Sequence, residues 1–335
     1  MSKGESEKPA ACYVGVDVSA RELVAAVGGR KSENRWANTQ SGHQQLVSWL
    51  RGLGGRVRVC VEASGNYSLD LALLLSRQAG IELEVVNPRL ARRFAESLGK
   101  RSKTDPVDAH VLAEYAARMP FTRWPAPSAP ALQLRSLVRT IAALTRIATQ
   151  QKNREHAVLA SAVLAPMVAR ELQRHTHYLE QRMAKLRQKA RALIARDAEL
   201  QRRWQHLLSV PGVGEISGLH ILAELCTLPP TLDARQWVAQ CGLDPKHYES
   251  GSSVQATPRI SKAGNRYLRA ALYMPALVAV RYDASAAGFY LRLQQRGKAK
   301  LAALTAVMRK LLHGIYGMFR HGQNYDGLKL FPACI

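Results

Sequence analysis

Short apolar runs, broken by stretches of helical periodicity, fill the first third of this chain. Residues 12–16, Cys-Tyr-Val-Gly-Val, predict a strand that ends at Asp17. Residues 23–27 predict its hairpin partner, and 35–38 a third strand. Between 41 and 53, Leu46, Val47, Trp49, Leu50 and Leu53 recur at helical spacing. A strand at 57–61 then ends at Glu62, a helix covers 69–78 and a strand covers 83–86. Helices follow from Pro88 and from about Pro106.

The predicted order is βββαβαβα. Three sequential strands followed by βα units imply an α/β domain, a mixed sheet with helices on its faces. This is the order of a ribonuclease H-like fold. Three prolines between Trp124 and Pro130 read as a stiff linker. From 131 to 204 the chain is glycine-poor and helical. Leu172, Leu179, Leu186, Leu193 and Leu200 recur every seven residues, as in a coiled-coil seam. The companion column, Thr176, Met183, Ala190 and Asp197, is weaker, which points to the preceding helix of the same chain as partner. Pro166 marks the turn of that helical hairpin. Beyond 205, helices are predicted at 215–225, 234–241, 267–280 and 300–319, with a tail from Asn324. The expected organisation is a flexible tail at 1–10, a catalytic domain at 11–125, a linker and coiled coil at 126–204, and a mostly helical domain at 205–335.

Composition adds a partner. Lys and Arg number 48 against 25 Asp and Glu, a net charge of +23. A chain this basic meets a polyanion, and nucleic acid leads. Residues 131–204 alone carry 15 basic and 5 acidic side chains. A membrane surface fits less well: the chain has no apolar stretch of spanning length and no juxtamembrane polybasic tract. Cys12, Cys60, Cys226, Cys241 and Cys334 form no CxxC pair, which argues against zinc and for reduced thiols in the cytoplasm. The first ten residues lack the apolar core of a secretory signal.

Candidate chemistry starts with Asp17, Glu62, Asp105 and Asp108. An acid that ends an apolar strand must be paired or bind a metal. Carboxylates are the hard ligands that Mg2+ requires, and two such ions can serve both oxygens of a phosphodiester exchange. Asp105 and Asp108 share one helix face, yet an Asp at a helix start is also an ordinary cap. Val210-Pro211-Gly212-Val213-Gly214 between two helices reads either as a helix-hairpin-helix grip on a phosphate backbone or as a tight turn. Tyr248-Glu249-Ser250-Gly251-Ser252-Ser253-Val254 reads as a Ser/Gly-rich loop, either a linker or the seat of a nucleophile. The basic cluster Arg259, Lys262, Arg266 and Arg269 suits phosphates. The histidines are scattered on predicted helices and read as structural.

Taken in order, these motifs resemble the DEDD insertion-sequence transposases with a carboxy-terminal serine domain, the bridge recombinases. The anchors are Tyr13-Val14-Gly15-Val16-Asp17, Val61-Glu62-Ala63-Ser64-Gly65-Asn66-Tyr67, Asn87-Pro88 and Lys103-Thr104-Asp105-Pro106-Val107-Asp108-Ala109. The Val210–Gly214 and Tyr248–Val254 segments and Ser261-Lys262-Ala263-Gly264-Asn265 follow. The resemblance implies a metal-binding tetrad of Asp17, Glu62, Asp105 and Asp108, holding Mg2+ with Mn2+ as a substitute. It implies Ser250 as the nucleophile of a covalent phosphoserine with DNA. It also implies double-stranded target and donor DNA, a structured noncoding guide RNA, and a homotetramer with active sites composed across protomers. A cytoplasmic, nucleoid-associated prokaryotic protein is expected, with no membrane partner. Two alternatives remain open: a RuvC-like nuclease or junction resolvase that uses water, and a non-catalytic nucleic-acid-binding protein.

Overall fold

The computed structural model describes residues 12–63, 65–99, 105–160, 166–250 and 254–332. The chain divides into two compact units, 1–126 and 127–335.

The first unit is a five-stranded mixed sheet between two helical layers. Its strands are β1 (Cys12–Val18), β2 (Glu22–Val27), β3 (Glu33–Ala37), β4 (Val57–Glu62) and β5 (Ile81–Val86), in the order β3-β2-β1-β4-β5. β1, β2 and β3 form an antiparallel meander, whereas β4 and β5 run parallel to β1. The helices are α1 (Gln40–Gly52), α2 (Leu69–Leu75), α3 (Pro88–Ser97) and α4 (Asp105–Arg118). This is the ribonuclease H-like arrangement that the element order predicts.

Strand alternation sorts the two faces. Val14, Val16 and Val18 of β1 and Val57, Val59 and Val61 of β4 join Leu46, Val47 and Leu50 of α1 and Leu71 and Leu75 of α2 in one core. On the other face, Tyr13 and Cys60 pack with Ala91 of α3 and Leu112, Tyr115 and Ala116 of α4. α4 also seats Ala109 against Val24 and Ala26 of β2. β3 starts two residues before its predicted position and ends at Ala37, because the Asn38 side chain turns in to donate to the Ser19 carbonyl at 2.7 Å. α2 is shorter than predicted. Its last turn is closed by Ser76 Oγ, which donates to the Leu73 carbonyl at 2.9 Å.

The second unit holds α5 (Ala129–Leu159), α6 (Pro166–Arg196), α7 (Ala198–Leu208), α8 (Glu215–Leu225), α9 (Ala234–Cys241), a hairpin of β6 (Pro245–Ser250) and β7 (Val254–Ile260), α10 (Arg266–Tyr282), α11 (Ala284–Gln295), α12 (Lys300–His321) and α13 (Gly327–Leu330). α5 and α6 form the predicted helical hairpin, with Pro166 as the first residue of α6. The buried stripe of α6 corrects the expected seam. Thr176, Met183 and Ala190, the weaker column, are buried together with Leu179 of the leucine column, whereas Leu172, Leu186 and Leu193 are only half-buried. Asp197 is no seam residue: its carboxylate caps α7 by accepting from Leu200 N at 2.9 Å. The foot of the hairpin (Leu134, Val138, Ala190 and Ile194) is continuous with the core of the following helices.

Two more expectations change here. Residues 324–331 are docked rather than a tail. Asn324 meets His206 at 3.0 Å, the Tyr325 hydroxyl donates to Asp283 at 2.6 Å, and Phe331 is buried against Phe289. The residues flanking the Ser/Gly-rich stretch are not a loop: they form the paired strands β6 and β7.

Candidate functional site

The carboxylates of the first unit sit at one end of the sheet. Val16 of β1 pairs with Val61 of β4, so Asp17 and Glu62 occupy the next rung of adjacent parallel strands. Both belong to the alternation that faces α4 (Tyr13, Gly15 and Asp17; Cys60 and Glu62). Gly15 decides how closely α4 approaches. A Cβ at Gly15 would overlap the Ala109 carbonyl oxygen and the Ala113 nitrogen, with Leu112 Cβ at 2.7 Å. Only glycine lets the helix lie this close to the strand. The contact places Asp108, the residue before Ala109, over the strand that carries Asp17. Asp105 opens α4 one turn before Ala109, and its side chain lies outside the described residues.

Asp17, Glu62 and Asp108 are half-buried. Among the described residues, no three His, Cys, Asp or Glu are gathered closely enough to hold a metal ion. Asp17 and Glu62 lie on one face at one end of the sheet, and carboxylate oxygens are the donors that a hard dication takes. Deeper on the same face, Glu84 of β5 is 7 % exposed, and its Oε2 has no hydrogen-bond partner. Burial raises its pKa, against a backbone hydrogen bond from Thr122.

In the second unit, Ser250 forms the last rung of the β6–β7 hairpin, paired with Val254. Its side chain is outside the described residues, as are Gly251, Ser252 and Ser253. Of the basic cluster, Arg259, Lys262 and Arg266 are exposed. Lys262 has a left-handed backbone, φ 52°. Arg266 stacks on Tyr267, 5.1 Å from the ring centroid. Arg269 is half-buried and donates to the Cys241 carbonyl at 2.8 Å, a bond that closes the end of α9. In the 210–214 turn the two glycines differ. Gly212, at φ 86°, leaves no room for a Cβ, which would lie 2.7 Å from the Pro275 carbonyl of α10. Gly214 opens onto free space and begins α8 without a side-chain cap.

A buried polar cluster below the hairpin has no counterpart in the sequence reading. Glu224 of α8 is 1 % exposed. Arg139 of α5 donates to both of its oxygens at 2.8 Å, and Asn265 Nδ2 donates at 2.6 Å. The available signal was an acid inside the apolar run Leu219, Ile221, Leu222, Ala223 and Leu225. The histidines are structural where their contacts are described: His43 bonds Asn38 at 2.7 Å and His110 bonds Glu33 at 3.0 Å. Cys12, Cys60, Cys226 and Cys241 are unpaired thiols, and burial pushes Cys226 up to about 11. Cys334 lies outside the described residues. Among the described residues, no helix is long and apolar enough to cross a membrane.

Two family models match the chain in succession. A DEDD IS110 transposase model matches residues 14–164, and a model of the IS116/IS110/IS902 transposase family matches 204–291. A pilin gene-inverting protein of Moraxella bovis is 28% identical over 325 residues, 94% of this chain and 97% of the relative. A transposase for insertion sequence element IS1328 of Yersinia enterocolitica is 27% identical over 226 residues, 60% of this chain and 65% of the relative. With both domains of one family present in order, and a relative aligned nearly end to end, this chain belongs to the IS110-type DEDD transposases.

Proposed function

We propose that this protein is a site-specific DNA transposase or recombinase of an insertion sequence, guided by a structured RNA and using Ser250 as nucleophile. One observation carries the reading. The chemistry is divided between the two family domains, with four carboxylates in the first and Ser250 in the second, at the closing rung of a hairpin. The relatives' names, a pilin gene inverter and an insertion-sequence transposase, support DNA rearrangement as the activity.

In the proposed step, the Ser250 oxygen bonds to the scissile phosphorus while the bond to one deoxyribose oxygen breaks. That oxygen leaves as a hydroxyl with the serine's proton. Attack by a second strand's hydroxyl then releases Ser250 and restores a diester, so the bond energy is kept. Asp17, Glu62, Asp105 and Asp108 would hold Mg2+, or Mn2+ in its place. When bound, such ions stabilise charge on the attacking and leaving oxygens. Arg259, Lys262, Arg266 and Arg269, with the Gly212–Gly214 turn, are proposed to hold the nucleic-acid backbone. A homotetramer in which one protomer's serine serves another's carboxylates is the proposed assembly. Base pairing with the RNA would choose the DNA sites, which leaves a chain of net charge +23 to hold backbone rather than read bases.

The test is a Ser250→Ala variant, incubated with a plasmid that carries the gene and its native flanks. The variant is expected to retain nucleic-acid binding and to form no covalent protein–DNA adduct on a denaturing gel. An adduct that persists removes Ser250 from the role, and hydrolysed ends without any adduct in the wild type favour water as nucleophile. Sequencing of copurified RNA tests guidance: one structured species encoded beside the gene is expected, and bulk cellular RNA argues against it.

A further inference from the structure

We infer that Glu224, Asn265 and Arg139 are positioning residues that set the β6–β7 hairpin, and with it Ser250, for strand attack. The inference rests on the Ser250 reading above.

The geometry runs from the buried cluster to both roots of the hairpin. Asn265 is shared among three tasks. Its Oδ1 caps α10 by accepting from Tyr267 N and Leu268 N at 3.0 and 3.1 Å. Its Nδ2 donates to Glu224 at 2.6 Å, and its backbone N–H donates to the Gln240 carbonyl at 2.6 Å. The residues before it are tied to the same stretch of chain. Lys262 N donates to the Gly242 carbonyl at 3.1 Å and Ser261 N to the Asp244 carbonyl at 2.9 Å. Ser261 Oγ donates to Asp244 Oδ1 at 2.6 Å. A Cβ on Gly264 would overlap the Gln240 carbonyl, so this crossing needs glycine.

Asp244 precedes β6, and Ser261 follows β7. The strands therefore leave from a base whose two sides are joined to each other and, through Asn265, to a carboxylate out of solvent. Arg139 holds that carboxylate in bidentate geometry, which fixes orientation as well as distance. Arg139 also lies over the Tyr267 ring, 4.9 Å from its centroid, and so touches the α10 end of the same base. A hairpin of two short strands has little stability of its own. Its direction is set by its roots. None of the three residues is proposed to touch DNA.

The cap and the bridge of Asn265 can be separated. Asn265→Ser keeps a good N-cap but cannot reach Glu224. With full-length protein, its copurifying RNA and the plasmid described above, Asn265→Ser is expected to bind DNA within about twofold of wild type. It should form the covalent adduct roughly 10- to 100-fold more slowly, the scale on which small misplacements act. The double variant Glu224→Gln with Asn265→Asp reverses donor and acceptor and keeps a carboxylate near Arg139. It is expected to recover the adduct rate to within about threefold, the coupling that a double-mutant cycle detects. A wild-type adduct rate in Asn265→Ser overturns the inference. So does a slow rate matched by equal loss of DNA binding or of thermal stability, or a double variant no faster than Asn265→Ser. Ser250→Ala runs in parallel. An adduct in that variant overturns the nucleophile assignment itself, and the positioning role with it.

Discussion

Gly15 makes a demand at residue scale that only α4 explains. In Gly15→Ala the new methyl meets helix backbone, which cannot rotate away as a side chain would. The substitution is expected to destabilise the first unit by about 1–3 kcal/mol or more, as overpacking does. It should also displace the start of α4, with Asp105 and Asp108. Urea denaturation followed by tryptophan fluorescence, together with cleavage of the native plasmid, checks both effects. Glu84 supplies a pH dependence. Burial holds its folded pKa above its ordinary value of 4.5. Its contribution to stability is then full below about pH 4.5 and is lost as pH rises through the folded pKa. Glu84→Gln removes that loss, so the variant's melting temperature relative to wild type should climb between pH 4.5 and neutrality. A flat difference would mean that Glu84 titrates alike in the folded and unfolded chain. Arg139→Met would leave Glu224 as a buried charge with Asn265 alone, a change that costs about 3–5 kcal/mol. Calorimetric unfolding measures it.

For the elements, α6 shows how a strong sequence repeat can misplace a helix face. A column of leucines and a column of smaller residues stand three and four positions apart, so either edge of the stripe can face the partner. Against α5, the chain buries Met183 at 7 % exposure and Ala190 at 0 %. Met183→Ala is therefore expected to cost about 2–5 kcal/mol, as buried large-to-small changes do. Leu172→Ala, at a half-buried position, should cost less than half of that. Chemical denaturation of the two variants compares them directly, and equal losses would place Leu172 in the seam beside Leu179. The β6–β7 hairpin was missed for a related reason. Its turn is so rich in serine and glycine that the stretch reads as a loop, and β-branched residues fill only three of the seven positions of β7.

At the scale of the whole molecule, charge and division into units are the governing facts. A net charge of +23 predicts binding that weakens steeply with salt, since each neutralised phosphate releases counterions. Mobility shifts on the native plasmid between 50 and 200 mM salt should lose about 10³–10⁵ in affinity for six to ten phosphate contacts. A loss under tenfold would contradict a backbone-gripping mode.

The sequence by itself determined the order of elements along the first unit, the helical hairpin after it and the placing of Asp17 and Glu62 at the ends of strands. Each rests on periodicity or on an acid at the end of an apolar run, and both are local signals. Asp17 and Glu62 could be placed at strand ends before any pairing was known, whereas Ser250 was chosen over Ser252 and Ser253 by the family resemblance alone. Only the tertiary structure decided which face of α6 is buried, that residues beyond Asn324 dock, that Gly212 packs on α10, and that Glu224 joins Arg139 to Asn265. Those four depend on what another element presents. The sequence separation from Arg139 to Asn265 spans most of the second unit, so no window along the chain contains both the buried charge and the groups that satisfy it.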